Sequence, residues 1–205
     1  MLSRFSLNFG SINNSRMRLL IIDNYDSFTY NLLHYVEPFV EQVRVVQNNE
    51  ISIEEVDSYD AIILSPGPGL PQDTGISMEV VKRYAPEKKI LGVCMGMQVI
   101  AEAFGARLRN LDEPLHGLAV ETYQTSIPHE IFKDVPKKFQ TGRYHSWVVD
   151  QDSLPSDIQV TATDSLGLVQ AIKHKIYPLS GVQFHPESVL TEYGKQIIEN
   201  WINSL

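Results

Sequence analysis

Cys94 is the only cysteine in the chain, and it lies within Gly92-Val93-Cys94-Met95-Gly96-Met97-Gln98. The apolar run Ile90–Val93 reads as a strand, and a helix is expected to start near Cys94. A lone thiol at a strand-to-helix turn, with glycines two residues to either side, is the pattern of a nucleophile elbow. The glycines let the backbone turn sharply and keep neighbouring groups clear of the sulfur. Amides at the start of the helix favour thiolate there. Such a residue does covalent chemistry through a thioester-type intermediate. The plainer alternative is that Cys94 is a small buried hydrophobe, as many free cysteines are.

A nucleophilic thiol needs a base, and the base needs an orienting partner. The histidines are His34, His116, His129, His145, His174 and His185. His185 is the best placed, because it directly follows the apolar run Leu179–Phe184. Pro186 stiffens the turn after it, and the Glu187 carboxylate can accept a hydrogen bond from the imidazole. The alternative is a satisfied histidine at a strand end beside a solvated carboxylate. Gln98, one helical turn after Cys94, shares its helix face and offers an amide to a substrate amide or carboxylate; otherwise it is a surface glutamine. The loop Ser65-Pro66-Gly67-Pro68-Gly69 lacks the third glycine of a dinucleotide motif, and no Walker lysine follows it. Exposed amides near a thiol suit an oxyanion hole better. The single cysteine and scattered histidines show no metal-ligand spacing, and no cofactor is expected.

Elements that could position these groups are visible in the pattern of apolar runs. Strands are predicted at Arg18–Ile22, Val43–Val46, Ala61–Leu64 and Ile90–Val93. Helices are predicted after a cap at Asp26 or Ser27 through Val36, from Gly75 to Tyr84, and from Cys94 to a Gly105 cap. This alternation implies a mostly parallel, open twisted α/β sheet with helices on both faces. Ligands of such sheets bind beyond the carboxyl ends of the strands, so the Asp23 turn, the Ser65–Gly69 loop and Cys94 should converge. A smaller, antiparallel β portion is expected in the second half, from Ala119–Ser126, Ile158–Ala162, Leu168–Lys173 and Leu179–Phe184. A helix over Tyr193–Asn203 would close the fold.

The chain has 205 residues and a formal net charge of -8. That charge argues against a nucleic-acid partner and against an anionic membrane surface, and no apolar run reaches the roughly 18 residues of a membrane span. One cysteine cannot form an internal disulfide, which points to a reducing compartment, the cytoplasm. Residues 1–16 contain two arginines and no acid, and they lack the apolar core of a secretory signal. They read as an N-terminal extension to one domain spanning 17–205. Met17 as the true start, or a transit peptide, are the other readings.

Taken together, Gly92–Gln98, Ser65–Gly69 and His185-Pro186-Glu187-Ser188 resemble the class I (triad) glutamine amidotransferases. The segments Asp23–Leu32, Pro114–Gly117, Arg143–Ser146 and Gly181–Thr191 are similar to the glutaminase subunits of anthranilate synthase and aminodeoxychorismate synthase. The resemblance implies that Cys94 would attack the carboxamide of L-glutamine, with His185 shuttling the proton and Glu187 orienting it. Backbone amides of Gly67 and Met95 would hold the oxyanion. Gly67, Pro68, Gly69, Gln98, Ser146 and Trp147 would line the glutamine pocket. Ammonia would pass to a chorismate-binding synthase subunit, near the Asp23–Thr29 turn and the His116-Gly117 loop. Two residues depart from the family pattern: Met97 stands where His is common, and Trp147 where Leu is usual. Rival readings are a glutaminase for carbamoyl phosphate or GMP synthesis, and a non-catalytic regulatory subunit of the same fold.

Overall fold

The computed structural model describes residues 17–204, apart from the side chains of residues 113–115. The extension read at residues 1–16 lies outside the described residues. The first half alternates β1 (Arg18–Asp23), α1 (Thr29–Val36), β2 (Gln42–Gln47), β3 (Ala61–Leu64), α2 (Ser77–Tyr84), β4 (Lys89–Val93) and α3 (Met95–Ala103). The second half contributes β5 (Leu108–Gln124), β6 (Lys138–Val149), β7 (Ile158–Asp164), β8 (Val169–His174), β9 (Leu179–Val182) and α4 (Gly194–Asn203). These nine strands of the described residues form one sheet in the order β2-β1-β3-β4-β9-β8-β7-β5-β6. The first five in that order pair parallel. From β9 outward every pairing is antiparallel. The expected fold class, mostly parallel with an antiparallel portion, is what the chain adopts.

Because side chains alternate along a strand, β1 feeds two cores at once. Leu19 and Ile21 pack with Leu32 and Val36 of α1 and with Ile197 and Trp201 of α4. Leu20 and Ile22 pack on the other face with Val80 and Val81 of α2 and Val99 and Ile100 of α3. Covering both faces explains why the central strands are continuous apolar runs. Among the described residues, no helix is long and apolar enough to cross a membrane.

The register brings the strand ends level. Ile22 lies opposite Leu64, Leu64 opposite Gly92, and Val93 opposite Val182. The turns that follow these residues therefore share one edge of the sheet, as the parallel topology implied.

Several elements differ from their sequence expectation. β5 starts at Leu108 rather than Ala119, and β6 is a whole strand with no counterpart in the apolar pattern. β6 carries Thr141, Arg143 and His145 to buried positions, so its polarity concealed a core strand. Burial there is supported by partners. The Arg143 guanidinium lies 3.5 Å from the Asp164 carboxylate and donates to the hydroxyls of Thr141 and Thr122. α1 starts after Phe28, not at a side-chain cap from Asp26 or Ser27. Asp26 instead accepts from the Phe28 N–H at 2.7 Å, within the turn before the helix. α2 begins at Ser77 rather than Gly75, and β9 ends at Val182, which leaves Gln183–Glu187 in the turn beyond it. Gly105, with φ of 91°, ends the α3 segment in the left-handed conformation expected of its cap.

Candidate active site

Cys94 sits between β4 and α3 with φ 51° and ψ −103°. A side-chain-bearing residue in this region is strained, and such strain persists only where the surroundings impose it. Here they do. The Cys94 N–H donates to the Val182 carbonyl at 2.8 Å, which ties the elbow to the end of β9. Gly96 must be glycine because a Cβ there would stand 2.2 Å from the Leu64 carbonyl oxygen. α3 thus lies directly against β3, and the sulfur is held at the mouth of the strand-end crevice. Met95 is the first residue of α3, so its N–H has no partner within the helix.

His185 reaches the same place from β9. Its backbone is fixed on both sides: the His185 N–H donates to the Gly142 carbonyl at 3.2 Å, and the Thr191 hydroxyl donates to the His185 carbonyl at 2.6 Å. Its Nδ1 lies 2.7 Å from Oε1 of Glu187, and both side chains are buried. Tyr144 and Phe28 meet the imidazole in T-shaped contacts, with centroids at 4.8 and 6.1 Å. Burial by itself would depress the imidazole pKa. The negative charge of the Cys94 sulfur and contact with it, together with the Glu187 carboxylate, outweigh burial and raise the pKa to about 11. Nε2 makes no hydrogen bond of good geometry. Asp26, from the turn after β1, belongs to the same electrostatic group. Burial raises its pKa, while the Phe28 N–H and the His185 charge oppose that rise.

A cavity of about 230 Å³ opens over the sulfur. Every residue expected at the site other than His185 and Glu187 lines it: Gly67, Pro68, Gly69, Cys94, Met95, Gln98, Ser146 and Trp147. Gln98 is buried, and its Nε2 donates to the Trp147 carbonyl at 2.9 Å and to Gln183 Oε1 at 3.1 Å. These bonds hold α3 against β6 and leave the Gln98 carbonyl oxygen for a ligand. The Ser65–Gly69 loop is set by Asn24, whose Nδ2 donates to the Ser65 carbonyl at 2.9 Å.

Three lining residues, His116, Tyr144 and His145, are absent from the pocket that the sequence implies. All come from β5 and β6, whose pairing no apolar run announces. His145 is buried with neither ring nitrogen hydrogen-bonded. Burial, reinforced by the charges of Arg143 and His185, lowers its pKa to about 3. It is therefore a neutral wall of the cavity. Gln183 is likewise unforeseen, although it donates from Nε2 to Cys94 Sγ at 3.6 Å. Met97 is fully buried, and its side chain fills the space above Gly181 of β9, where an added Cβ would stand 2.6 Å from Met97 Cγ. The residue at this position packs the elbow helix onto the sheet and does not line the cavity. Among the described residues, no group of His, Cys, Asp and Glu could hold a metal ion.

Comparison with known proteins identifies the family of the chain. The family model for class I glutamine amidotransferases matches residues 20–205. The aminodeoxychorismate/anthranilate synthase component 2 of Bacillus subtilis is 40% identical over 191 residues, covering 91% of this chain and 96% of that protein. The bifunctional protein TrpGD of Thermotoga maritima is 44% identical over 194 residues, but the chain spans only 32% of its length. A solved structure from Thermoplasma acidophilum, described as a subunit of GMP synthase, superposes with a TM-score of 0.80 at 28% identity, covering 91% of this chain and 92% of that one. With the strand-end elbow, the buried His185–Glu187 pair and a family match over nearly all of the described chain, this protein belongs to the class I glutamine amidotransferases.

Proposed function

We propose that the chain hydrolyses L-glutamine and hands the ammonia to a chorismate-binding synthase subunit, serving anthranilate formation, 4-amino-4-deoxychorismate formation, or both. The amidotransferase unit is residues 17–205, with residues 1–16 an extension to it, acting in the cytoplasm. The observation that carries the chemistry is the buried His185–Glu187 pair, 2.7 Å apart, whose imidazole pKa Cys94 and Glu187 raise. The Cys94 sulfur attacks the carboxamide carbon, and the carbonyl oxygen becomes an oxyanion held by the N–H groups of Gly67 and Met95. The tetrahedral adduct collapses as the carbon–nitrogen bond breaks. His185 delivers its proton to the departing nitrogen, and ammonia leaves a glutamyl thioester on Cys94. Water then attacks the thioester with His185 as base, which releases glutamate and returns the proton to the imidazole. Glu187 fixes the imidazole and balances its positive charge throughout. Gly69, Gln98, Ser146 and Trp147 hold the amino-acid end of the substrate, with Gly67 and Pro68 shaping the loop beside it.

The choice of synthase rests on the names of the relatives. Component 2 proteins of aminodeoxychorismate and anthranilate synthases match at 39–40% identity over 94–96% of their own length, against 28% for the GMP synthase protein. The test is glutamine-dependent product formation by the chain mixed with an anthranilate or an aminodeoxychorismate synthase subunit. Glutamine hydrolysis stimulated by either subunit supports the reading. Hydrolysis stimulated only by a GMP synthetase or carbamoyl phosphate subunit, or by none, overturns it.

A further inference from the structure

Gln183 is fully buried immediately beyond β9, in the turn that leads to His185. Its N–H donates to the Gln170 carbonyl at 2.9 Å, which pins its backbone to β8. Its side chain lies between Gln98 and the sulfur. Oε1 accepts from Gln98 Nε2 at 3.1 Å, and Nε2 donates to Cys94 Sγ at 3.6 Å. The mechanism above gives this residue no part.

The two ends of a carboxamide are alike in shape, yet here one group decides the orientation of both amides. The Trp147 carbonyl can only accept, so the end of Gln98 that meets it at 2.9 Å is the NH₂ group. That NH₂ group can only donate, so the end of Gln183 that meets it is the oxygen. Gln183 therefore turns its own NH₂ group to Cys94. A thiol sulfur is a weak acceptor, whereas hydrogen bonds to an ionised acceptor are about twice as strong as neutral ones. A fixed donor at the sulfur thus favours the charged nucleophile over the neutral thiol. Because the donor is completely buried, it cannot turn to water instead.

We propose that Gln183 is a positioning residue that holds the Cys94 sulfur as an anion at the cavity, oriented for that task by Gln98 from the substrate side. The inference rests on the reading of Cys94 as nucleophile. It adds a second stabilising group beside the imidazole, from the same turn after β9 that carries His185 and Glu187. Other titratable groups face the same region: His185 and Glu187 from the turn after β9, Asp26 from the turn after β1, His116 from β5, and Tyr144 and His145 from β6. All of them remain in the variants below, so their titrations are common to every profile compared.

The test is the rate of Cys94 alkylation by iodoacetamide as a function of pH, using the full chain. It is paired with glutaminase kinetics in the presence of the synthase subunit. Gln183→Met removes the donor at similar volume, and Gln183→Glu keeps the shape while replacing the donor with an acceptor. In Gln183→Met the pH of half-maximal alkylation is expected to rise by about one unit, which lowers the rate about tenfold on the acidic limb of the profile. For the same variant kcat should fall while KM for glutamine stays within about twofold. Gln183→Glu should move the profile further in the same direction, and it serves if the methionine variant does not fold. Coincident alkylation profiles for the parent and either folded variant overturn the inference while leaving the glutaminase reading intact. A parent chain whose Cys94 resists alkylation across the range overturns both.

Discussion

His185 and Glu187 form a closed pair within one turn: Nδ1 and Oε1 are 2.7 Å apart, and both side chains are hidden from solvent. A charge pair this deep is held by its surroundings, not by surface attraction, and removing either member leaves the other uncompensated. Glu187→Gln keeps the shape but not the charge. It is expected to lower glutaminase kcat by about 10²- to 10⁴-fold, the usual range for lost acid–base function. It should also lower the imidazole pKa, because one cause of its elevation is gone. Since the folded value lies above the ordinary 6.5, raised by Cys94 and then by Glu187, the protonated imidazole stabilises the fold fully below about pH 6.5. That contribution fades as pH rises toward 11. Nitrogen NMR of the imidazole in parent and variant reports the change directly.

Cys94→Ser tests the proposed division of labour between this chain and a synthase subunit. The hydroxyl is a far poorer nucleophile at neutral pH, so glutamine-dependent product formation by the complex should disappear. Product formation from added ammonium salts should persist at the parent level, because the synthase half is untouched. Loss of both activities would mean that the substitution disturbs assembly.

Met97 and Gly181 are expected to behave as a coupled pair. Gly181→Ala places a methyl group 2.6 Å from Met97 Cγ in a closed core, an overpacking that costs about 1–3 kcal/mol. Met97→Ala alone leaves a cavity and costs about 2–5 kcal/mol. In the double variant the new methyl occupies part of that cavity, so the combined loss should be smaller than the sum of the two. Urea unfolding of the four proteins gives the coupling energy.

Acid stability should be governed partly by His129 and His145, whose pKa values are lowered to about 3, chiefly by burial. His129 is held between the hydroxyls of Thr161 and Ser180 at 2.9 and 3.0 Å. In the unfolded chain both rings take up protons near pH 6.5, whereas in the folded chain they do not until near pH 3. Stability is therefore present above pH 6.5 and drains away as pH falls from there. Each histidine contributes up to about 1.4 kcal/mol for each pH unit. His129→Gln should flatten the loss between pH 6 and 4, as measured by denaturant midpoints.

The half of the molecule that carries Cys94 was legible because its strands are buried on both faces and its helices have one apolar stripe. Periodicity alone separates such elements, and the strand-end turns then fall together by topology. The elbow was readable for a local reason, since glycines bracketing a thiol at a strand end mark a turn that presents the sulfur. β6 was invisible because Arg143, His145 and Thr141 are buried among neighbours that largely satisfy the arginine and threonine, which hydropathy cannot register. Tyr144, His145 and His116 entered the cavity with that unseen pairing. Gln183 was hidden differently: it stands two residues from a residue singled out by chemistry, yet its partner is 89 residues away in the chain. Met97 packs over Gly181, far along the chain from it, a contact that no local pattern encodes.

The position of β9 has a further consequence. It is the last of these strands in chain order, yet it lies in the middle of the sheet, wedged between β4 and β8. While the ribosome is still making the chain, β4 and its thiol can form but have neither imidazole nor carboxylate beside them. On the proposed mechanism, a chain that ends before β9 would be silent toward glutamine, because His185 and Glu187 follow that strand. On that mechanism, glutamine hydrolysis would report that the last strand is in place between β4 and β8.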